Sequence, residues 1–143
     1  MDSQSYFNQG NEKCKNKDLA GAIEDFTKAI ELCSSVKYKT NNEKGSDSSV
    51  ESAHIIKPNA GNVNIYFNRG CCYFYLRMYN EAIADYSKVI EYSSTGAEVY
   101  FRRATANYYI KNDLGMKSDL AKAEKLDAKY TRELFLSQFQ NKN

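Results

Sequence analysis

The strongest constraint in this sequence is an internal repeat. A shift of 34 residues aligns YFNRG at 66–70 with YFRRA at 100–104, and DYSK at 85–88 with DLAK at 119–122. A shift of 60 residues aligns YFNQG at 6–10 with YFNRG, and DFTKAIE at 25–31 with DYSKVIE at 85–91. A helical bundle whose residues match by chance is the alternative, but each offset holds for two separate blocks. The chain therefore contains three copies of one unit, with 26 additional residues after the first copy.

Composition sets the fold class. With 143 residues, 42% hydrophobic and 27% charged, the chain is long enough for one core and too hydrophobic for a disordered protein. One Pro and seven Gly leave little turn chemistry for a many-stranded sheet, whereas long segments alternate at helical spacing. We therefore expect a single all-α domain over 1–143.

Net charge and hydropathy argue against two classes of partner, nucleic acids and membranes. The formal net charge is only +2, too small for a field that attracts nucleic acid, so DNA and RNA are not expected as partners. No window approaches the roughly 18 apolar residues of a membrane span, and the start MDSQSYFN does not resemble a signal peptide. These features predict a protein without membrane association.

The cysteines and the single histidine form no recognisable site in the sequence. Cys14, Cys33, Cys71 and Cys72 show neither metal-ligand spacing nor a disulfide framework, and only His54 could complete a metal site. We expect no metal or cofactor, and a reducing compartment, cytoplasmic or nuclear. With no phosphate-binding loop and no paired base for a nucleophile, the chain is not expected to be an enzyme.

Small and aromatic residues recur at fixed positions of the unit. The first copy carries Tyr6, Gly10, Ala22, Phe26 and Ala29. A 34-residue unit with this pattern resembles the tetratricopeptide repeat. The other copies carry Tyr66, Gly70, Tyr73, Ala82 and Tyr86, and Tyr100, Ala104, Met116, Leu120 and Ala123. The third copy departs most from the pattern, and none of the three has the closing Pro of the family.

The resemblance implies an architecture of six antiparallel helices in a right-handed superhelical solenoid. We assign repeat 1 to 3–36, a polar insertion to 35–61, repeat 2 to 63–96, repeat 3 to 97–129 and a C-terminal capping helix to 130–140. The helices of the repeats are expected at 2–15, 19–33, 62–76, 80–92, 97–111 and 114–126. The insertion reads as a surface loop or as a lid specific to a partner, and its apolar stretch at 53–56 docks on the repeats or extends the third helix.

The strings GNEKC at 10–14, YFNRG at 66–70 and YFRRATA at 100–106 are similar to the co-chaperone branch of the family. That branch holds the Glu-Glu-Val-Asp tail of heat-shock chaperones with two Lys, two Asn and one Arg. The resemblance carries the polar positions onto Asn11, Asn68 and Arg102, but Phe7 and Glu98 stand where the family has Lys. Losing two charge-assisted hydrogen bonds costs on the order of 3 to 6 kcal/mol. Tail binding is therefore expected to be weak.

Other side chains at groove positions offer a different chemistry. Lys15 is a candidate substitute cation. Phe7, Phe67 and Phe101 share one repeat position and are expected to form an aromatic ladder along the concave groove, flanked by aromatic residues that include Tyr75. The alternative is that these rings pack in the core between helices. The candidate binding residues are thus Asn11, Asn68, Arg102, Phe7, Phe67, Phe101, Lys15 and Tyr75.

Three functional hypotheses follow. The first is a scaffold, monomeric or weakly self-associating, that binds a peptide segment of a partner protein in the groove. The second is a co-chaperone domain that binds the chaperone tail through an altered clamp. The third is a self-association module whose groove is filled by its own insertion or by another copy.

Overall fold

A computed structural model describes residues 1–34, 60–93 and 95–140, and this part of the chain is helical with no strand. All helix ends lie within two residues of the predicted ones. The stretch at 53–56, His54 and all but the last two residues of the predicted insertion fall outside the described residues. The helices are α1 (Ser3–Lys15), α2 (Leu19–Ser34), α3 (Ala60–Tyr75), α4 (Tyr79–Tyr92), α5 (Ala97–Tyr109), α6 (Asp113–Leu126) and α7 (Arg132–Gln140).

The first helix of each repeat ends in the same backbone turn. Lys17, Arg77 and Lys111 adopt left-handed backbone conformations, with φ of 64°, 61° and 60°. The amide of each donates to the carbonyl oxygen three residues earlier at 3.0 Å, and the next amide donates to the carbonyl five residues earlier. This arrangement satisfies carbonyls that would be unpaired at the helix end. It recurs at the same offsets as the sequence repeat.

Close packing within each repeat follows from the small and aromatic positions. α1 packs on α2, α3 on α4 and α5 on α6, while α2 with α3 and α4 with α5 join successive repeats. Phe26 and Tyr86 are fully buried and lie against Gly10 and Gly70 of the facing helix. A larger residue at these glycines would keep the helices apart. The predicted all-α architecture of paired repeat helices is confirmed.

Two arginines connect successive repeats, each through an ion pair within its own repeat and a hydrogen bond to the preceding one. Arg69 of α3 donates to both carboxylate oxygens of Asp85 at 2.8 Å and to Thr27 of α2 at 3.0 Å. Arg103 of α5 repeats this pattern with Asp119 and with Ser87 of α4. Each arginine therefore ties its own repeat to the preceding one.

The capping helix α7 covers the last repeat. Phe135 is 1% exposed and packs in one cluster with Ala104 and Leu120, so α7 buries the apolar surface that α5 and α6 would otherwise present to water. In the part of the chain that the structure describes, no helix has the length and apolar character needed to cross a membrane.

Candidate functional site

A cavity among the described residues lies between α3, α5 and α7. Its volume is about 390 Å³. Aromatic rings form most of its wall, and the facing pair Glu98 and Arg102 supplies its charge. The lining residues are Phe74, Tyr75, Tyr86, Glu98, Phe101, Arg102, Thr105, Tyr130 and Gln138.

Arg102 is held in place by neighbours on α5 and α3. Its guanidinium lies 2.9 Å from Glu98 one turn earlier, and 5.5 Å from the centre of the Phe67 ring. Desolvation opposes the charge, but the Cys71 sulfur and the Glu98 carboxylate outweigh it and raise the pKa of Arg102. A ligand carboxylate must therefore compete with Glu98 for this cation. The pair presents adjacent positive and negative groups rather than a free positive charge.

The two asparagines of the expected clamp contact each other. The Asn68 side-chain amide donates to Oδ1 of Asn11 at 2.8 Å, which links α3 to α1. Lys15 pairs with Glu12 on its own helix at 2.6 Å, with its side chain 70% exposed. Lys15 is thus not among the residues lining the cavity around Arg102. The structure brings Asn11 and Asn68 together and leaves Arg102 with Glu98.

The three phenylalanines at the shared repeat position do not stack on one another in the described structure. Phe7 contacts Phe26 with ring centres 5.9 Å apart, and Phe67 contacts Tyr86 at 6.1 Å. Phe101 contacts Tyr130 at 5.1 Å.

The expected ladder is therefore replaced by three separate contacts. In the first two repeats, each phenylalanine turns toward the aromatic ring on the second helix of its own repeat. In the third repeat that position holds Leu120, so Phe101 meets Tyr130 and, at 5.9 Å, Phe135 of α7. All three rings are half-buried, so the groove and core interpretations each describe part of their surface. Of the three, Phe101 lines the cavity around Arg102.

A second aromatic cluster borders the cavity. Phe74 contacts Tyr79 at 5.4 Å and Tyr109 at 5.9 Å, and Tyr79 and Tyr109 stack at 4.6 Å. Tyr75 lies beside Phe74, with 66% of its surface exposed. The ring contacts hold Phe74 in the cavity wall, and Tyr75 is exposed at the rim.

Some site residues were not identified from the sequence. Tyr130 and Gln138 line the cavity because α7 packs beside α5, whereas the sequence indicated only a capping role for this helix. The pairing of Glu98 with Arg102 did have a sequence signal, since residues four apart on a helix face each other. No sequence signal pointed to Gln138, which has no counterpart in the repeats.

Two models described as tetratricopeptide repeat match residues 3–35 and 63–95. Among curated protein sequences none matches this chain.

Several solved structures share the fold. The second TPR domain of human RPAP3, solved with the HSP70 peptide SGPTIEEVD, is 20% identical with a TM-score of 0.69 over 98% of this chain and 96% of that one. The Hsp90 co-chaperone Cns1 of Saccharomyces cerevisiae is 23% identical, with a TM-score of 0.70 over 98% of this chain and 38% of that one. The Arabidopsis OM64 TPR domain is 19% identical, with a TM-score of 0.68 over 96% and 93%. The repeated sequence, the paired helices and these matches show that residues 3–35 and 63–95 are tetratricopeptide repeats, and that the chain has the fold of a tetratricopeptide repeat domain of about three repeats.

Proposed function

We propose that this domain is a non-catalytic scaffold that binds a peptide segment of a partner protein in its concave groove. The observation that carries the proposal is the 390 Å³ cavity, which combines aromatic walls with the Glu98 and Arg102 pair. Tetratricopeptide repeats are protein interaction modules, so a cavity on their concave side is the natural place for a ligand side chain.

The lining favours a peptide with an apolar anchor beside polar groups. Burying one aromatic or aliphatic side chain against Phe74 and Phe101 is worth roughly 1.5 to 3 kcal/mol. Arg102 keeps 34% of its side chain exposed and can donate to a peptide carbonyl while paired with Glu98. An anchor of this kind does not require a free carboxyl terminus.

Selection from a random peptide library displayed on phage tests the proposal. The selected peptides are synthesised, and their affinities are measured for the wild type and two variants. Tyr75→Ala removes a cavity residue that is 66% exposed, while Leu76→Ala removes the next side chain, which is 42% exposed and does not line the cavity. We expect Tyr75→Ala to weaken binding about tenfold and Leu76→Ala to leave it unchanged. Equal effects of both variants, or a library that yields no binding peptide, would contradict peptide binding in this groove.

A second candidate function is binding of a chaperone tail. Its support is the presence of Asn11, Asn68 and Arg102 at clamp positions, together with the likeness to an RPAP3 domain solved with an HSP70 peptide. The absent lysines and the pairing of Arg102 with Glu98 argue that the wild type holds such a tail weakly. The two functions differ in whether the terminal carboxylate matters.

The variant Glu98→Lys separates the two candidates. It restores a cation at a clamp position and releases Arg102 from its ion pair. If the clamp is retained, calorimetry with a peptide ending in Glu-Glu-Val-Asp should show affinity at least tenfold tighter than wild type, lost when the peptide is amidated. No gain in affinity would contradict the chaperone-tail function and would be compatible with the first proposal.

A further inference from the structure

Two contacts join α1 directly to α3 on adjacent turns. The first is the hydrogen bond from Asn68 to Asn11 at 2.8 Å. The second lies one turn further along each helix, where the sulfur atoms of Cys14 and Cys72 are 3.1 Å apart. The two thiols belong to different repeats and are 58 positions apart in the chain, so only the fold brings them together.

The distance between the two sulfur atoms is already close to the length of a covalent bond. A disulfide bond is about 2.05 Å long, so the two sulfurs need to approach by roughly 1 Å. A structural zinc site is the main alternative use of paired thiols, but it requires four ligands. Within the described ranges, no group of three or more His, Cys, Asp or Glu side chains gathers around a common point. The neighbourhood therefore favours oxidation over metal binding.

We propose that Cys14 and Cys72 form a modification site at which a peroxide oxidises the dithiol to a disulfide joining α1 to α3. Cys14 is the half-buried partner, whereas Cys72 is 2% exposed. Burial and the neighbouring Cys14 sulfur raise the pKa of the Cys72 thiol, which keeps it protonated at neutral pH. A small oxidant therefore reaches Cys14 first.

The reaction proceeds in two balanced steps. The Cys14 sulfur attacks hydrogen peroxide, the oxygen–oxygen bond breaks, and Cys14 becomes a sulfenic acid with release of one water. The Cys72 sulfur then displaces hydroxide from the sulfenic sulfur, and its proton joins that hydroxide to form a second water. Two electrons pass from the two thiols to the peroxide. Any disulfide reductant that carries a dithiol reverses the change by exchange.

The remaining two cysteines have other surroundings. Cys33 lies 2.8 Å from the Ser3 hydroxyl, and Cys71 accepts a hydrogen bond from the Tyr86 hydroxyl at 3.6 Å. Cys71 and Cys72 are neighbours on one helix, where side chains point about 100° apart. The dithiol is thus specific to Cys14 and Cys72.

Mass spectrometry of the folded protein tests the proposal. The protein is treated with hydrogen peroxide, remaining thiols are blocked with N-ethylmaleimide, and trypsin is added. Trypsin releases Cys14 in the dipeptide 14–15 and both Cys71 and Cys72 in residues 70–77. A link to residues 70–77 therefore does not show which of the two cysteines is bonded. The double variant Cys33→Ser, Cys71→Ser identifies it, because this variant keeps only Cys14 and Cys72. The matched control is Cys14→Ser, which changes a half-buried position and leaves the buried Cys72 intact.

We expect an intramolecular link between the two peptides, loss of two hydrogens from the intact mass, and a melting temperature about 10 °C higher after oxidation. Cys14→Ser should show none of these changes while melting as a folded protein in reductant. A link through Cys33 or Cys71, a covalent dimer, or conversion of Cys14 to a sulfinic acid without a link would overturn the assignment. Peptide binding is not needed for any of these readouts.

Discussion

Gly10 shows how a single side-chain position sets the spacing between helices. A Cβ at this position would lie 2.6 Å from Cε1 of Phe26, whose ring is fully buried. Ala is the better helix former by about 1 kcal/mol, but overpacking costs typically 1–3 kcal/mol, and an overlap with three atoms of a buried ring falls in the upper part of that range, about 2–3 kcal/mol. We expect Gly10→Ala to lower the free energy of unfolding by about 1–2 kcal/mol, measured by urea denaturation.

The matched control for that change is Gly96→Ala. A Cβ at Gly96 would lie 3.6 Å from Val99, an ordinary contact. Gly96 is the N-cap of α5, where Ala is less favourable than Gly, but Ala also restricts the unfolded chain, so the two effects oppose each other and we expect a change within about 0.5 kcal/mol. A Gly10→Ala protein as stable as the wild type would show that the helices of repeat 1 do not depend on this close approach.

The sequence predicted which side chains are buried better than it predicted which polar side chains pair with each other. Ala22, Phe26 and Tyr86, which stand at the recurring small and aromatic positions of the unit, are all fully buried. The hydrogen bond of Asn68 to Asn11 was not predicted, because it depends on how far apart helices of two repeats lie. A clamp inferred from residue identity alone therefore misses that its own members can bind each other.

The turn between the two helices of each repeat contains one residue with a left-handed backbone. Lys111 has a left-handed backbone, which costs a residue with a Cβ roughly 1–2 kcal/mol but costs Gly nothing. Part of this gain is lost because Gly is more flexible in the unfolded chain. We expect Lys111→Gly to raise the free energy of unfolding by about 0.5–1 kcal/mol.

Lys117→Gly is the control for this substitution. It places the same residue change at an exposed position within α6, where Gly destabilises a helix by about 1 kcal/mol. In thermal melts, a higher melting temperature for Lys111→Gly and a lower one for Lys117→Gly would support a left-handed backbone at Lys111. Destabilisation by both would mean that the Lys111 side chain, not its backbone, matters.

The capping helix can be tested in the same way. Phe135 of α7 is 1% exposed and packs on Ala104 and Leu120, whereas its neighbour Leu134 is 43% exposed. We expect Phe135→Ala to cost about 3–5 kcal/mol and Leu134→Ala less than about 1 kcal/mol. Similar small losses in denaturant titrations of the two variants would show that α7 is not part of the cooperative fold.

The positions of the helices could be predicted from local sequence. Helix ends agreed within two residues because each repeat carries its own amphipathic pattern and turn. The role of α7 was only half predicted, since its apolar residues indicated a cap but not that Tyr130 and Gln138 would line the cavity. That position depends on how α7 packs beside α5, which the sequence of α7 does not encode by itself.

For the molecule as a whole, stacking of the repeats determines what the groove presents. Arg69 and Arg103 connect successive repeats with the same geometry, so the concave faces of α3 and α5 adjoin. The repeat offset predicted this stacking. It did not predict the chemistry of the groove, because the phenylalanines turn toward partners within their own repeats or on α7, and Arg102 is paired with Glu98.

The most direct test of the proposed groove is amide chemical-shift mapping by NMR, with a peptide selected on the wild-type domain. We expect the largest shift changes around the cavity, at Phe74, Tyr75, Arg102 and Thr105. Changes centred instead on Leu114, Leu120 and Leu136, on the α6 and α7 side of the molecule, would contradict the account and move the binding site off the concave face.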